Sequence, residues 1–261
     1  MLRGGGDLAT GVAWHLRSLR WPVVVLELPE PLTVRRAVAL SSAVTQGEAV
    51  VQGLRAVLCE SSVEAVAAAR CGVVAVLVAP RLASLGLDRR PEVVVDARMA
   101  KRSLDTAIDD AETVVGLGPG FTAGLDCHAV VETMRGPDLG RVIWQGRAQP
   151  DTGTPADLGG RSADRVLRAP AAGRVAWRVG IGDLVSEGQR IGDVSGTVVQ
   201  APFAGVLRGA IRDGVEVPAG LKIGDVDPRG DPDACWKISD KAMAVGDGVR
   251  RAVLRCRQTP T

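Results

Sequence analysis

The chain has no tyrosine, and aromatic residues make up only 3% of its 261 positions. Its hydrophobic fraction of 46% is dominated by Val and Ala, which suits buried parallel strands and close packing of small residues. Paired cysteine motifs are absent too. The five cysteines (Cys59, Cys71, Cys127, Cys235 and Cys256) are scattered without a C-x-x-C spacing, so neither a disulfide framework nor a metal site is expected. No apolar run approaches the roughly 18 residues of a spanning helix, and no signal-peptide pattern is present, so a bacterial-style cytoplasmic location is the expectation. Charge of one sign is lacking as well. Lys and Arg total 32 against 30 Asp and Glu, a net charge of +2, which argues against nucleic acid or a membrane as partner. The arginines Arg250, Arg251, Arg255 and Arg257 read as a solvated basic end.

The most informative stretch runs from Gly116 to Glu132. Glu112–Leu117 is a short β-branched run, a buried strand by its length. It leads into Gly118, Pro119 and Gly120, where glycine permits a left-handed backbone and close approach to a ligand. Phe121 and Thr122 follow, then Asp126, Cys127 and His128 in adjacent positions. A glycine-rich turn at the carboxyl end of a strand is where an α/β protein binds ligands. The alternative is a tight strand exit whose polar groups satisfy the backbone. Cys127 could be a reactive thiolate or a small buried apolar residue; His128 could be catalytic or a cap.

At the start, Gly4, Gly5 and Gly6 lead into Asp7, a candidate N-cap, and a helix through Val12, Ala13, His15, Leu16 and Leu19. Trp21–Leu28 then reads as a buried strand containing Glu27. Glycine turn, helix, strand and acidic residue form the ground plan of a dinucleotide-binding unit. The glycine spacing departs from G-x-G-x-x-G, and the strand that should feed the turn is missing, because only Met1–Arg3 precede it. Further along, residues 33–40 read as helical, Glu48–Val51 and Leu54–Leu58 as a hairpin, Ser62–Arg70 as a helix, and Val73–Val78 and Glu92–Asp96 as strands. Asp96, Arg98, Lys101 and Arg102 lie just past the last of these, lining a crevice or starting a solvated helix. This alternation predicts an α/β, Rossmann-like domain with a mostly parallel sheet over 1–148.

Residues 149–163 turn Gly/Pro-rich and read as a linker. Beyond them is a repeat. Ala169-Pro-Ala-Ala-Gly173 recurs as Ala201-Pro-Phe-Ala-Gly205, and Gly188-Gln-Arg-Ile-Gly-Asp-Val194 as Gly220-Leu-Lys-Ile-Gly-Asp-Val226, with one ungapped offset of 32. Both halves are β, each too small to bury a core alone, so a quasi-twofold sandwich over 164–230 is predicted. It resembles the biotinyl/lipoyl-type barrel-sandwich hybrid. The carrier lysine of such modules would sit on the hairpin Ser195–Gln200, which has none, so no biotin or lipoate attachment is expected. A docking or lid role is. Residues 231–261 are read as an added strand and helix.

Taken together, Gly4–Gly11, Glu27–Arg36, Val95–Arg102, Gly116–His128 and Ile238–Gly246 resemble the accessory protein family of selenium-dependent molybdenum hydroxylase systems. The resemblance implies maturation of such a hydroxylase as client. It further implies that an anionic ligand, the molybdenum cofactor or a nucleotide, is bound by backbone N–H groups of the two glycine turns. Gly4, Gly5, Gly6, Asp7, Thr10, Glu27, Gly118, Gly120, Phe121 and Thr122 would hold it, Glu27 accepting from a ribose hydroxyl, with Asp126, Cys127 and His128 supplying chemistry. A homo-oligomer is expected. Two other functions fit the residues: an NAD(P)-dependent oxidoreductase, and a non-catalytic docking scaffold.

Overall fold

The structure is a computed structural model and describes residues 1–85, 90–102, 104–151, 160–161 and 163–258. It is mixed α/β, with one large, mostly parallel sheet and smaller antiparallel sheets. Two units are formed. The first contains Met1–Pro31, Ala39–Asp151 and Ile238–Thr261; the second contains Leu32–Val38 and Thr152–Lys237.

In the first unit, β1 (Leu2–Arg3) precedes α1 (Asp7–Ser18) and β2 (Val23–Glu27). Then come α2 (Ala43–Gln46), the hairpin β3 (Glu48–Val51) and β4 (Leu54–Cys59), α3 (Ser62–Arg70) and β5 (Val74–Val78). The remaining strands are β6 (Val93–Asp96), β7 (Thr113–Leu117), β8 (Thr122–Ala123), β9 (Ala129–Val131), β10 (Val142–Ile143) and β11 (Gly146–Arg147). Nine of them form one sheet in the order β10-β9-β7-β6-β1-β2-β5-β4-β3. Every neighbouring pair from β9 to β4 is parallel; β10 and β3 are antiparallel edges.

The sheet is covered on both faces, which is why its strands read as unbroken apolar runs. In β2, Val23 and Val25 face one core, while Val24 and Leu26 face another. The first core is closed by α1 and by α4 (Asp240–Gln258), whose Ala242, Val245, Val249 and Val253 are buried with Leu8, Val12 and Leu16 of α1. The two helices cross in near backbone contact. A Cβ added to Gly11 would lie 2.1 Å from the Ala242 carbonyl oxygen, and one added to Gly246 would lie 2.3 Å from the Gly11 carbonyl oxygen.

The strand expected to be missing before Gly4 is present. Leu2 and Arg3 pair with Val25 and Leu26 on one side and with Val95 and Asp96 on the other. Two residues suffice because their neighbours extend the ladder: Val95 N donates to Met1 O and Gly4 N to Leu26 O. Three other expectations change. Residues 33–40 form two short 3-10 turns (Arg36–Val38, Leu40–Ser42) rather than a helix. Asp7 is the first helical residue, and Gly6 takes the N-cap position. Among the described residues, 97–102 contain no helix.

The second unit has two four-stranded antiparallel sheets. Its strands are β12 (Val166–Arg168), β13 (Gly173–Trp177), β14 (Leu184–Val185), β15 (Arg190–Val194), β16 (Thr197–Gln200), β17 (Gly205–Ala210), β18 (Glu216–Val217) and β19 (Lys222–Asp227). The sheets are β12-β19-β17-β14 and β16-β15-β13-β18. Shifting by the repeat offset turns one order into the other, so each sheet is built from strands of both halves. Val175, Ile191, Val194 and Val199 of the first half share a core with Leu207, Ile223, Val226 and Leu167.

The division differs from that expected at both ends. Leu32–Val38 lies on the second unit, where Val34 covers Gly209 and Arg36 Nε donates to Ala210 O at 3.0 Å. The segment after Asp227 is split: a 3-10 turn, Pro232–Cys235, stays with the β unit, α4 joins the first, and the expected strand is not formed among the described residues. Of the linker expected at 149–163, residues 152–159 and 162 lie outside the described residues.

Candidate functional site

Because β2 follows β1 on one side and β6 lies on the other, the sheet order reverses at β1. A crevice outside the carboxyl ends at such a reversal is the usual ligand position in open α/β sheets. The residues there come from β1 and its turn (Arg3, Gly4, Gly5, Gly6), from the start of α1, from the end of β2 (Glu27) and from the end of β6 (Asp96, Arg98).

Gly4 has φ +88, a left-handed turn, and a Cβ on it would press within 3.2 Å of the Arg98 backbone. Its N–H is used by Leu26 O. Gly5 N donates to Glu27 Oε2 at 2.7 Å, and Leu28 N donates to Glu27 Oε1 at 2.7 Å. Glu27 is therefore held as a brace for the turn, and the Gly4 and Gly5 N–H groups are not donors to a ligand. Gly6 differs: nothing lies within 4 Å of a Cβ built on it. The first helical bond is Thr10 N to Gly6 O, so the Gly6, Leu8 and Ala9 N–H groups lie outside the helix ladder at its positive end. Thr10 is buried, with its hydroxyl bonded to Gly6 O at 3.3 Å, and offers no donor to the crevice.

A polar network that sequence reasoning did not assemble lies at these strand ends. Buried Asp96 accepts from Arg98 N and Nε and, at 2.6 Å, from the Thr106 hydroxyl. Arg3, also buried, donates to Thr106 Oγ1 at 2.5 Å and to Asp105 Oδ2 at 2.6 Å. Arg98 Nη1 reaches the other Asp105 oxygen at 2.7 Å. Burial works against the Arg98 charge, but its bonds to Asp96 and then Asp105 hold it above its ordinary value. Burial likewise pushes Asp105 up, and the bonds from Arg3 and Arg98 bring it below the usual carboxylate value. The Arg98 side chain is 21% exposed, so part of this cation faces outward. The visible signal was the charge cluster 96–102; Thr106 and Arg3 carried no signal of their own.

The second glycine turn is at the same end of the sheet. Strand β6 separates it from the first, roughly 10 Å across at ordinary strand spacing. Gly118 (φ +78) faces Thr133 Oγ1 and Met99, and a Cβ on Gly120 would meet Ala100 O at 2.2 Å. The segment after β6 thus touches both turns, Arg98 at Gly4 and Met99–Ala100 at Gly118–Gly120. Gly118 N donates to Val131 O, so this turn is packed against its neighbours. Phe121 is a core residue: its ring lies over Gly116, where a Cβ would come within 2.3 Å of it.

Asp126, Cys127 and His128 are not beside either turn. β9 runs parallel to β7 with Val115 opposite Ala129, so the residues before Ala129 sit at the amino end of the sheet. His128 Nδ1 accepts the Val114 N–H at 3.0 Å, four residues and roughly 13 Å along the strand from Gly118. That bond fixes a neutral ring with its proton on Nε2, and burial lowers its pKa. Asp126 accepts the Thr122 N–H at 2.8 Å, while the Thr122 hydroxyl accepts from Arg147 Nε at 2.8 Å. Cys127 is 0% exposed among Val94, Val114, Phe121 and Val130, and burial pushes its thiol up to about 11. The expected thiolate chemistry is therefore corrected: this sulfur is a core atom.

Among the described residues no group of three or more His, Cys, Asp or Glu side chains could hold a metal, and no helix is long and apolar enough to cross a membrane. All five cysteines are free.

No known family profile matches the chain. A protein of Escherichia coli (strain K12) named "Uncharacterized protein YqeB" is 45% identical over 254 residues, covering 97% of this chain and 47% of that protein. The chain thus spans about half the length of the relative it matches. The crystal structure of an aspartoacylase family protein from Mesorhizobium loti overlaps 24% of this chain at 17% identity with a TM-score of 0.23, too little to bear on the fold.

Proposed function

We propose that the chain is an accessory protein in the maturation of a selenium-dependent molybdenum hydroxylase. In this reading its first unit is a Rossmann-like domain that binds an anionic ligand, and its second is a barrel-sandwich hybrid that docks the client. The observation that carries the reading is the open Gly6 position and the positive end of α1 at the order reversal of the sheet, with Arg98 at the rim. Backbone N–H groups at a helix start beside a guanidinium suit phosphate, the group common to nucleotides and the molybdenum cofactor. Neither Cys127, which is sealed, nor the Ser195–Gln200 hairpin, which has no lysine, offers the ligand a point of covalent attachment.

The test is the molybdenum cofactor content of a client hydroxylase purified anaerobically from cells with and without this chain. The reading expects a several-fold drop in occupancy without it, restored by the wild type and by Cys127→Ala. Equal occupancy in both preparations would remove maturation from the account.

A further inference from the structure

The two halves of the β unit match closely enough to show where one departs from the fold they share. Strand irregularities are the clearest case. In the first half, the β15–β16 ladder skips Ile191 between Gly192↔Val199 and Arg190↔Gln200. In the second, β19–β12 skips Ile223 between Gly224↔Leu167 and Lys222↔Arg168, the same positions shifted by 32. That irregularity belongs to the architecture. A second one does not. β13 pairs with β15 without interruption, Val175↔Val194, Ala176↔Asp193 and Trp177↔Gly192. Its counterpart reads Leu207↔Val226 and then Gly209↔Asp225, leaving Arg208 as an extra residue. Arg208 occupies the place of Ala176, so the fold itself asks for no cation there. Bulges of this kind re-aim a side chain.

At this bulge a guanidinium side chain is buried. Arg208 is 7% exposed, and among the described residues its Nε is buried without a hydrogen-bond partner. Its ion pair is loose: Nη1 stands 3.5 Å from Asp227 Oδ2, while Arg229 donates to the same carboxylate at 3.0 Å (Oδ1) and 2.7 Å (Oδ2). The neighbouring carboxylate, Asp225, is engaged by Arg165 at 3.0 Å through both oxygens. Arg35 lies close enough to add to the positive field, its guanidinium donating to Ala234 O at 3.3 Å. Burial, and then Arg35, lower the Arg208 pKa against the support of Asp227 and Asp225. Asp231, the next carboxylate along, accepts the Asp233 N–H. Arg229, with 45% of its side chain exposed, connects the cluster to solvent. A buried cation with an unmet donor is costly to leave so, and a further acceptor is the simplest remedy.

We propose that Arg208, with Arg229 and Arg35, forms an oxyanion site in the β unit that takes a small phosphate-type group. The site is distinct from the crevice of the α/β unit. It uses the second half-repeat's departure from the first, and it gives a module without a carrier lysine a ligand of its own. Guanidinium forks hold tetrahedral oxyanions through paired N–H bonds, for which the unmet Arg208 Nε–H supplies one arm.

The experiment is thermal unfolding of the full chain against inorganic phosphate, with sulfate in parallel and KCl to match ionic strength. Wild type, Arg208→Met, Arg208→Lys and Gly6→Glu are compared. Saturable stabilisation of wild type by phosphate, kept by Gly6→Glu and weakened at least tenfold in midpoint concentration by both Arg208 variants, is the expected result. Arg208→Lys keeps the charge but has no fork, so it covers the case in which Arg208→Met fails to fold. Sulfate matching phosphate in these dependences would show that any tetrahedral oxyanion is accepted. The proposal is overturned by no saturable effect beyond KCl, by an unchanged midpoint in Arg208→Lys, or by loss only in Gly6→Glu.

Discussion

Glu27 and Gly5 are joined by a 2.7 Å bond from the glycine N–H to carboxylate Oε2, and this bond decides the role of each. An acid at the end of the second strand reads from sequence as a ribose acceptor. Here it fastens the glycine turn of β1 to the end of β2, its other oxygen held by Leu28 N.

Glu27→Ala removes two charge-assisted acceptors from backbone donors of a buried turn. A loss of about 3 kcal/mol in urea unfolding is expected, with Glu27→Gln losing about 1 kcal/mol because its carbonyl still accepts one bond. An unaffected Glu27→Ala protein would mean the carboxylate is not a brace.

Asp96 and Arg98 make the second test. Arg98→Met strands a buried carboxylate and should cost about 3–5 kcal/mol, whereas the double change Asp96→Asn with Arg98→Met should recover most of that. Additive losses in the double variant would contradict a mutually dependent pair.

Alkylation separates the cysteines. Exposed Cys71 should react with iodoacetamide in the native protein, while Cys127 should react only after unfolding. Linkage gives a matching pH dependence. The Cys127 thiol is raised from 9.0 in the unfolded chain to about 11 in the fold, so its stabilising effect is complete below pH 9 and lost as pH rises toward 11. The slope is about 1.4 kcal/mol per pH unit at most, and Cys127→Ala should flatten it. His128 works at the other side: its lowered pKa means stability falls as pH drops below 6.5, an effect absent in His128→Gln.

Gly11→Ala tests the helix crossing. A methyl group 2.1 Å from the Ala242 carbonyl oxygen forces α1 and α4 apart, at a cost of about 1–3 kcal/mol or more. A fully stable Gly11→Ala protein would require a looser crossing than the one described.

The sheet strands were legible where apolar runs are continuous, as in Val23–Leu26 and Val74–Leu77, because both faces of those stretches are buried. The repeat was legible because one offset carries every matching turn. Leu2–Arg3 was not, since two residues hold no period; their strand identity comes from neighbours far along the chain. Nor was the place of Leu32–Val38, whose attachment depends on Gly209 leaving room for Val34. The reading of Cys127 and His128 beside Gly118 failed for a geometrical reason. The link from β7 to β9 returns the chain to the amino end of the sheet, so nearness in sequence became distance along the strand. Arg98 was singled out as a charge past a strand, but its partners Asp105 and Thr106 were not, nor was Arg3, which reaches the same two residues from the first strand.

The most direct measurement is equilibrium titration of phosphate-bearing ligands, nucleotides and molybdopterin, against the wild type and Gly6→Glu. Gly6 has an ordinary extended backbone and open space around it, so the substitution should leave the fold intact while setting a negative charge at the start of α1. The account predicts saturable binding of at least one such ligand to the wild type and a loss of tenfold or more in Gly6→Glu. Binding that stays equal in both proteins when each also carries Arg208→Lys, or that is absent from both, would contradict it.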